Sequence, residues 1–219
     1  MAEEFTWDEM KFWDSGEWQV IEEKLDDLDR RNVRYNPARE SLFAALDIVE
    51  FNNCRVAIFG QDPYPQSKFA TGIAFSIPKR IRTFPVTLAN IFREYCEDLH
   101  YPYPKSGDLT PWCKQGVLLW NVIPSCEEGI SLSHDWDEWT FLSKEIIERL
   151  SMRGVVMAFL GGVAREYVKY VVPWEADVIQ TSHPSPRGKG KSPFFGSRLF
   201  STINDKLVAQ GLDPIDWRL

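Results

Sequence analysis

Val56-Ala57-Ile58-Phe59-Gly60, followed directly by Gln61-Asp62-Pro63-Tyr64, is the stretch of sequence that decides the fold. An apolar run of this length that ends in a polar turn is typical of a strand buried on both faces of a parallel sheet. Three more runs of this kind follow, at 116–120, 154–160 and 177–181. Because helical patterns separate the runs, the sequence predicts an α/β layered domain with a mainly parallel sheet.

Polar or glycine residues end each of these four runs. Asp62 lies two residues after the first run, Asn121 follows the second, Gly161-Gly162 follows the third, and His183 lies two residues after the fourth. Ligands of open parallel sheets bind outside the carboxyl ends of the strands. We therefore expect these residues to meet at one rim of the sheet, although they are far apart in the chain.

Amphipathic segments between the runs are predicted as helices. The segment 8–30 is acidic, and its apolar residues recur at helical spacing between Phe12 and Leu28. Thr87 is the expected N-cap of a later helix, since a threonine hydroxyl can accept a backbone hydrogen bond there. The predicted helices are 8–30, 42–49, 87–97, 136–150, 163–171 and 198–210, and the predicted loops are 101–112 and 183–197.

The size and composition of the chain favour a globular protein. It has 219 residues, 44% of them hydrophobic, and we expect one domain over 1–219. No stretch approaches the roughly 20 apolar residues of a membrane span. The first residues lack the basic and apolar regions of a secretory signal. These observations predict an intracellular protein that does not bind a membrane.

The four cysteines are predicted to be structural thiols. None of Cys54, Cys96, Cys113 and Cys126 forms a C-x-x-C pair, and no histidine lies near enough in sequence to suggest a zinc finger. An iron–sulfur cluster is disfavoured by the same spacing. We expect no metal and no cofactor.

The net charge of −7 is unevenly distributed. Residues 1–30 contain eleven acids and three bases, which gives this segment −8 and leaves +1 for the remainder. Two basic clusters lie in that remainder: Lys79, Arg80 and Arg82, and then Arg187, Lys189, Lys191 and Arg198. Local charge dominates in salt, so such clusters can hold phosphates. Ordinary solvated loops are the alternative interpretation of either cluster.

Asp62 and His183 are the candidate catalytic residues. A carboxylate held in the turn after a buried strand can orient or deprotonate a water, or stabilise a neighbouring cation. The alternative for Asp62 is an Asx-turn that satisfies its own loop. His183, between Ser182 and Pro184, is a candidate general acid or a neutral hydrogen-bond donor to a developing oxyanion. A loop histidine with a capped ring is its alternative.

The other rim residues suggest recognition of a base and of phosphate. Asn121 ends a very apolar strand, and its paired donor and acceptor suit the edge of a nucleobase, although a turn-forming asparagine fits equally well. Tyr64 and Phe75 are aromatics near Asp62, and for Phe75 an ordinary core position is favoured. Gly161-Gly162 before a helix offers unpaired backbone N–H groups to a phosphate, a weak signal in itself.

Taken in order, the motifs of this chain resemble those of family 1 uracil-DNA glycosylases. The resemblance extends from about Trp13 to Leu219. The motifs are Gly60-Gln61-Asp62-Pro63-Tyr64-Pro65, Thr71-Gly72-Ile73-Ala74-Phe75-Ser76, Gly107-Asp108-Leu109-Thr110, the stretch from Lys114 to Asn121, His183-Pro184-Ser185-Pro186, Phe194-Phe195-Gly196 and Pro214-Ile215-Asp216-Trp217.

The resemblance implies a three-layer α/β/α sandwich with a central four-stranded parallel sheet. It implies hydrolysis of the N-glycosidic bond of deoxyuridine in DNA, without metal or cofactor. Asp62 then matches the water-positioning carboxylate and His183 the donor to uracil O2. The implied substrate-binding residues are Gln61 through its backbone, Tyr64 as the wall against a 5-methyl group, Phe75 as the stacking ring, and Asn121 as the reader of the uracil O4/N3 edge.

The resemblance also implies partners and a DNA-binding surface. The expected partners are uracil-containing single- or double-stranded DNA and a protein inhibitor that mimics DNA, bound by a monomer. A bacterial member would be cytoplasmic, and a viral or eukaryotic one would act in the host cell or the nucleus. The residues assigned to DNA are Pro85, Thr87, Gly161, Gly162, Ser185 and Arg187.

Four features depart from the family pattern. The Pro-rich loop is reduced to Phe84-Pro85-Val86-Thr87. Pro65 stands where members often have histidine, and Gly161-Gly162 replaces the usual Gly-Ser, which removes a hydroxyl contact to phosphate. Arg187 replaces the leucine that wedges into the duplex. The arginine can stack in the gap or grip a phosphate, and single-stranded DNA becomes the expected preference. A DNA-binding scaffold that keeps the fold with little catalysis is the alternative function.

Overall fold

The computed structural model describes residues 5–172, 177–185 and 193–219. In chain order, the elements in these ranges are α1 (Lys11–Asp14), α2 (Glu17–Arg30), β1 (Tyr35–Asn36), α3 (Ala44–Ile48), β2 (Val56–Gly60), α4 (Val86–Leu99), α5 (Thr110–Cys113), β3 (Val117–Asn121), β4 (Cys126–Glu127), α6 (Asp137–Met152), β5 (Val156–Leu160), α7 (Gly162–Glu166), β6 (Val178–Thr181) and α8 (Leu199–Ala209). Short 3-10 helices cover Trp7–Glu9, Arg39–Ser41, Phe51–Asn53 and Tyr167–Tyr170.

The main sheet has four parallel strands in the order β3-β2-β5-β6. The register pairs Gly60 with Asn121 and Leu160 with Thr181, so the strands end together at one edge. Helices flank the sheet, with α4 packed against α8 and α2 against α6. The predicted α/β/α sandwich with four parallel strands is confirmed. A second, antiparallel pair of β1 and β4, which the sequence did not predict, lies beside it.

The central strands are buried on both faces, as their apolar runs predict. Every residue of β2 and of β5 is buried. Phe59 and Phe159 stack across these two strands with ring centroids 4.7 Å apart. The indole N–H of Trp120 donates to the Ser143 hydroxyl at 2.9 Å, which satisfies a polar group inside the core. The strand that leads to Asp62 is therefore fixed from all sides.

The predicted helix at 8–30 is wrong as one continuous helix. The structure divides it into the 3-10 helix Trp7–Glu9, α1 and α2, and Gly16 between the two α-helices has φ of 93°. This left-handed conformation, which glycine adopts without steric cost, ends one helix and turns the chain into the next. The helical spacing still identified the buried side of α2, where Ile21, Leu25 and Leu28 enter the core.

Thr87 is not the N-cap of α4. The helix begins at Val86, and the N-cap is Pro85, whose carbonyl accepts the Ala89 N–H at 2.9 Å. Pro85 adopts φ of −56° and ψ of 151°, an extended geometry that leads directly into a helix and leaves no cap position for the next threonine. The predicted loop 101–112 also ends early, because α5 begins at Thr110.

The remaining predicted elements differ from the structure at their ends. The helix predicted at 42–49 forms over Ala44–Ile48, and the one predicted at 163–171 consists of α7 and a 3-10 turn. No α-helix in the described ranges combines the length and apolar character needed to cross a membrane.

Candidate active site

The carboxyl edge of the main sheet gathers the predicted rim residues. Asp62 lies two residues after β2, Asn121 is the last residue of β3, Gly161 follows β5, and His183 lies two residues after β6. All four strands run in the same direction, so all four residues lie at one edge. The predicted convergence is confirmed.

Asn121 and Phe75 meet over the backbone of Gly60. A Cβ atom at Gly60 would lie 2.6 Å from the Asn121 Oδ1 and 2.8 Å from the Phe75 Cζ, so only glycine fits between them. Phe75 is nearly buried and has φ of 66°, a strained conformation for a bulky residue. The Tyr64 hydroxyl donates to the Phe75 carbonyl at 3.0 Å. One aromatic face and one amide are thereby fixed side by side.

Burial also changes the acidity of the Tyr64 hydroxyl. Desolvation raises the pKa of its hydroxyl well above the ordinary value, so the group stays protonated and remains a donor. Tyr64 also packs edge-on against Phe69, with ring centroids 5.8 Å apart. The ring is therefore held at both ends, as a rigid wall beside Phe75.

The Asp62 carboxylate accepts three hydrogen bonds. The Gln61 side-chain amide donates to Oδ1 at 2.9 Å, while the Ser131 hydroxyl and the Leu132 backbone N–H donate to Oδ2 at 2.6 and 2.7 Å. Ser131 and Leu132 are 69 and 70 residues further along the chain. The alternative of a self-contained Asx-turn is wrong, because a distant loop holds this carboxylate. Asp62 remains partly exposed and can face a water or a ligand.

His183 presents a neutral ring to the same rim. The Ser185 backbone N–H donates to its Nδ1 at 3.0 Å, so Nδ1 is an acceptor and the proton of the neutral ring is on Nε2. Burial lowers the pKa of His183, and the nearby Asp62 charge opposes that shift. A ring in this state can donate a hydrogen bond through Nε2.

Gly161 is the surface on which the His183 side chain packs. A Cβ atom at Gly161 would lie 2.9 Å from the Cδ2 of that ring, and Gly161 has φ of 104°. Its N–H donates to the Thr181 carbonyl at 3.0 Å. The expectation of two unpaired N–H groups for a phosphate is therefore wrong for Gly161, because the sheet uses the first one. Gly162 remains the candidate.

Two contacts hold the segment that carries His183. The Asn90 amide of α4 donates to the Pro184 carbonyl at 2.6 Å, and the Ser182 hydroxyl accepts the Phe194 N–H at 3.0 Å. Sequence reasoning assigned no role to Asn90. Its position on the helix face toward β6 depends on the packing of α4 and could not be read from a local pattern.

Of the residues assigned to DNA, Gly161 follows β5 at this rim and Ser185 contacts His183. Pro85 and Thr87 lie at the start of α4, and the Ser185 N–H is already bonded to His183. Arg187 lies outside the described residues. The DNA-binding role of this set stays a prediction.

Three of the four cysteines are small buried groups, and Cys96 is partly buried. Cys54, Cys113 and Cys126 are buried, and burial raises the pKa of each thiol to about 12. Such thiols are poor nucleophiles at neutral pH. Across residues 5–172, 177–185 and 193–219, no group of three or more His, Cys, Asp and Glu side chains is arranged to hold a metal ion.

Known proteins share both the sequence and the fold of this chain. Uracil-DNA glycosylase of Mycolicibacterium vanbaalenii is 42% identical over 187 residues, which cover 85% of this chain and 82% of that protein. The enzyme of the same name from Mycobacterium tuberculosis is 41% identical over 188 residues, with the same coverage. The crystal structure of mimivirus uracil-DNA glycosylase superposes with a TM-score of 0.86 at 27% identity, covering 95% of this chain and 85% of that one.

A variant of the mimivirus protein with the same TM-score was crystallised in complex with UGI. The model of the uracil DNA glycosylase superfamily matches residues 47–208, which contain β2, the Asp62 turn and the His183 segment. The chain therefore belongs to the uracil DNA glycosylase superfamily.

Proposed function

We propose that the protein hydrolyses the N-glycosidic bond of deoxyuridine in DNA, releasing uracil and leaving an abasic site. The observation that carries this proposal is the pairing at the rim of a fixed carboxylate, Asp62, with a neutral imidazole, His183, that keeps its N–H on Nε2. Cleavage of the bond develops positive charge on the sugar and negative charge on the base. A carboxylate and an N–H donor are the groups that stabilise those two charges.

In this mechanism, Asp62 orients the attacking water and stabilises the oxocarbenium-like sugar. His183 donates its Nε2–H to uracil O2 as the base leaves as an anion. A neutral donor suits this step. Burial lowers the pKa of His183 and so favours the ring with a single proton, and the Ser185 N–H bond to Nδ1 leaves that proton on Nε2. Preorganised donors of this kind commonly contribute about 10²–10³ in rate each.

Base selection comes from the Asn121, Phe75 and Tyr64 group. Phe75 stacks on the uracil ring, and the Asn121 amide pairs with the O4/N3 edge. Cytosine presents the opposite donor pattern at that edge, so the amide would be left mispaired, a strong basis for discrimination. The Tyr64 ring blocks a 5-methyl group, which excludes thymine by contact.

The substrate base must leave the helix before it can enter this site. Flipping costs about a few kcal/mol and least for an unpaired strand. Arg187, in place of a wedging leucine, makes single-stranded DNA the preferred substrate on this proposal. Pro85, Thr87, Gly162 and Ser185 would contact the strand around the flipped nucleotide.

The decisive experiment is a uracil-release assay on single- and double-stranded oligonucleotides in EDTA. We expect free uracil from both, faster from the single strand, and no thymine from matched substrates. The alternative, a DNA-binding scaffold, predicts equal binding to uracil-free DNA and no turnover. Metal dependence or thymine release at the uracil rate would contradict the mechanism.

Tyr64→Ala tests the exclusion of thymine. Removing the ring opens space for the methyl group, so we expect measurable thymine release alongside uracil release. Tyr64→Phe is the matched control, because it keeps the ring and removes only the hydrogen bond to Phe75. Unchanged exclusion in Tyr64→Ala would remove this role from the ring.

The proposed partners follow from the same surface. We propose that a protein inhibitor that mimics DNA binds this rim, supported by the complex of the mimivirus variant with UGI. We further propose that the chain acts as a monomeric single domain inside the cell, where its DNA substrate is found. One continuous cluster of buried apolar residues supports the single domain.

A further inference from the structure

We infer that Ser131 is a positioning residue for the Asp62 carboxylate, an inference that rests on the proposed function. Ser131 lies outside every motif that supports the family resemblance. Its hydroxyl donates to the Asp62 Oδ2 at 2.6 Å and accepts a hydrogen bond from the Gln61 amide at 3.1 Å. Since that amide also donates to the Asp62 Oδ1, the three side chains form a closed ring of hydrogen bonds.

A closed ring fixes the carboxylate in direction as well as in place. The Gln61 amide on Oδ1 and the Leu132 N–H on Oδ2 define the plane of the carboxylate. The Ser131 hydroxyl adds a second donor to Oδ2 and links it to the Gln61 amide, which closes the ring and restricts rotation further. Hydrogen bonds to an ionised acceptor are short and strong. The Asp62 carboxylate is therefore already oriented to accept a hydrogen bond from the water. It does not have to rotate when the reaction begins.

The loop that carries Ser131 is built for this contact. Leu132 has φ of 64°, a strained conformation for a branched residue, and in this conformation its N–H points at the Asp62 Oδ2 at 2.7 Å. The Ser133 hydroxyl stabilises the turn, because it accepts the Glu127 N–H at 2.7 Å and donates to the Ile130 carbonyl at 2.8 Å. Strain at one residue is thus maintained by bonds at the next.

The same loop is tied to the turn that follows Asp62. The Gly129 N–H donates to the Pro65 carbonyl at 2.8 Å, and the Asn36 amide donates to the same carbonyl at 2.9 Å. Pro65 therefore serves as an anchor through its carbonyl group. The loop reaches Asp62 as part of a fixed frame, and the Ser131 side chain itself is exposed, so its removal does not disturb the core.

Ser131→Ala tests the role in single-turnover uracil release. We expect the rate to fall about ten- to hundredfold, the range for one hydrogen bond to a charged group. We expect the affinity for uracil-containing oligonucleotide, measured in an Asp62→Asn background, and the melting temperature to stay unchanged. Ser131→Thr keeps the hydroxyl and should restore most of the rate.

A double-mutant cycle separates positioning from a general structural effect. If Ser131 acts through Asp62, then adding Ser131→Ala to Asp62→Ala changes the residual rate no further. Ser67→Ala is the matched control, because the Ser67 hydroxyl donates to the Glu128 carboxylate at 2.8 Å, away from Asp62. It should react at the wild-type rate.

Each outcome has a distinct meaning. Absence of uracil release by the wild-type protein overturns the proposed function itself. Release by the wild type with an equal rate for Ser131→Ala overturns only the positioning role. The same conclusion follows if Ser131→Ala slows Asp62→Ala as strongly as it slows the wild type.

Discussion

Two carboxylates of this protein are held in nearly the same way and are left with opposite accessibility. Asp62 accepts the Ser131 hydroxyl and the N–H of Leu132, a left-handed residue. Glu94 of α4 accepts the Ser197 hydroxyl and the N–H of Arg198, which is also left-handed with φ of 51°. Each carboxylate thus fixes a loop that comes from far along the chain.

The difference between them lies in solvent access. Glu94 is 1% exposed, and a further bond from the Gly196 N–H at 2.7 Å completes its acceptors. Asp62 lies at the rim and remains partly exposed. Similar hydrogen-bond chemistry therefore serves the cohesion of a loop in one place and a reaction in the other, and the position along the fold decides which.

The largest expected effect separates the two carboxylates by activity. Asp62→Asn keeps the shape of the side chain but removes its charge, so base release should slow by about 10²–10⁴-fold, the range for a positioned acid–base group. Binding of uracil-containing DNA should persist. Single-turnover release and fluorescence anisotropy measure the two quantities. A loss below tenfold would show that Asp62, like Glu94, mainly holds a loop in place.

Glu94→Gln is the matched change at the buried site. The new amide N–H₂ faces backbone donors and leaves them unsatisfied, which should cost about 1–3 kcal/mol of unfolding free energy. Urea denaturation measures this loss. The folded variant should release uracil at a rate close to that of wild type at low temperature. A large rate loss with unchanged stability would show that the 194–198 loop takes part in the reaction.

Acidification should lower the free energy of unfolding through histidines near Asp62. Burial lowers the pKa of His134, beside the Ser131 loop, to about 4, and burial also lowers the pKa of His183. Between the unfolded value of about 6.5 and pH of about 4, the unfolded chain binds a proton that folded His134 does not. The free energy of unfolding should therefore fall as pH falls through this window, by up to about 1.4 kcal/mol per pH unit from His134. The lowered pKa of His183 acts in the same direction.

His134→Gln supplies the control for that pH dependence. The His134 ring stacks on Trp136 at 4.1 Å, and its Nδ1 lies 2.8 Å from the Ser125 hydroxyl. Glutamine does not titrate, so thermal unfolding of the variant should depend less on pH between about 6.5 and 4. An unchanged pH slope would assign the dependence to other groups.

The smallest expected effect comes from Ser197→Ala. The Ser197 hydroxyl lies 3.4 Å from the Glu94 Oε1, a long hydrogen bond, and two backbone donors remain. We expect less than about 1 kcal/mol of lost stability and no change in uracil release. Comparison with Ser131→Ala in the same assays shows whether the two serines differ as their carboxylates do.

The sequence predicted the framework of the site well. Each of the four strands comes from a largely apolar run that leads into polar or glycine residues, and Asp62, Asn121 and His183 lie beside the strand ends. Parallel strands of similar length bring their ends to one edge, so a local pattern was enough to predict a long-range arrangement. The spacing of apolar residues could not show the break at Gly16, because the residues before and after this glycine both keep helical spacing.

The partners of Asp62 could not be predicted in this way. Ser131 and Leu132 are exposed and belong to no periodic segment. The conformation of Leu132 is unfavourable in isolation and exists because tertiary contacts impose it. The prediction that Thr87 is an N-cap was wrong for a related reason. Pro85, the residue immediately before the helix, occupies the N-cap position.

The strand order has a mechanical consequence. Asp62 extends from β2, which has neighbours on both sides, whereas His183 extends from β6, which pairs with β5 alone within the described sheet. Amides of an inner strand exchange with solvent through rarer opening events than those of an outer one. Deuterium uptake should thus be slower at Val56–Gly60 than at Val178–Thr181.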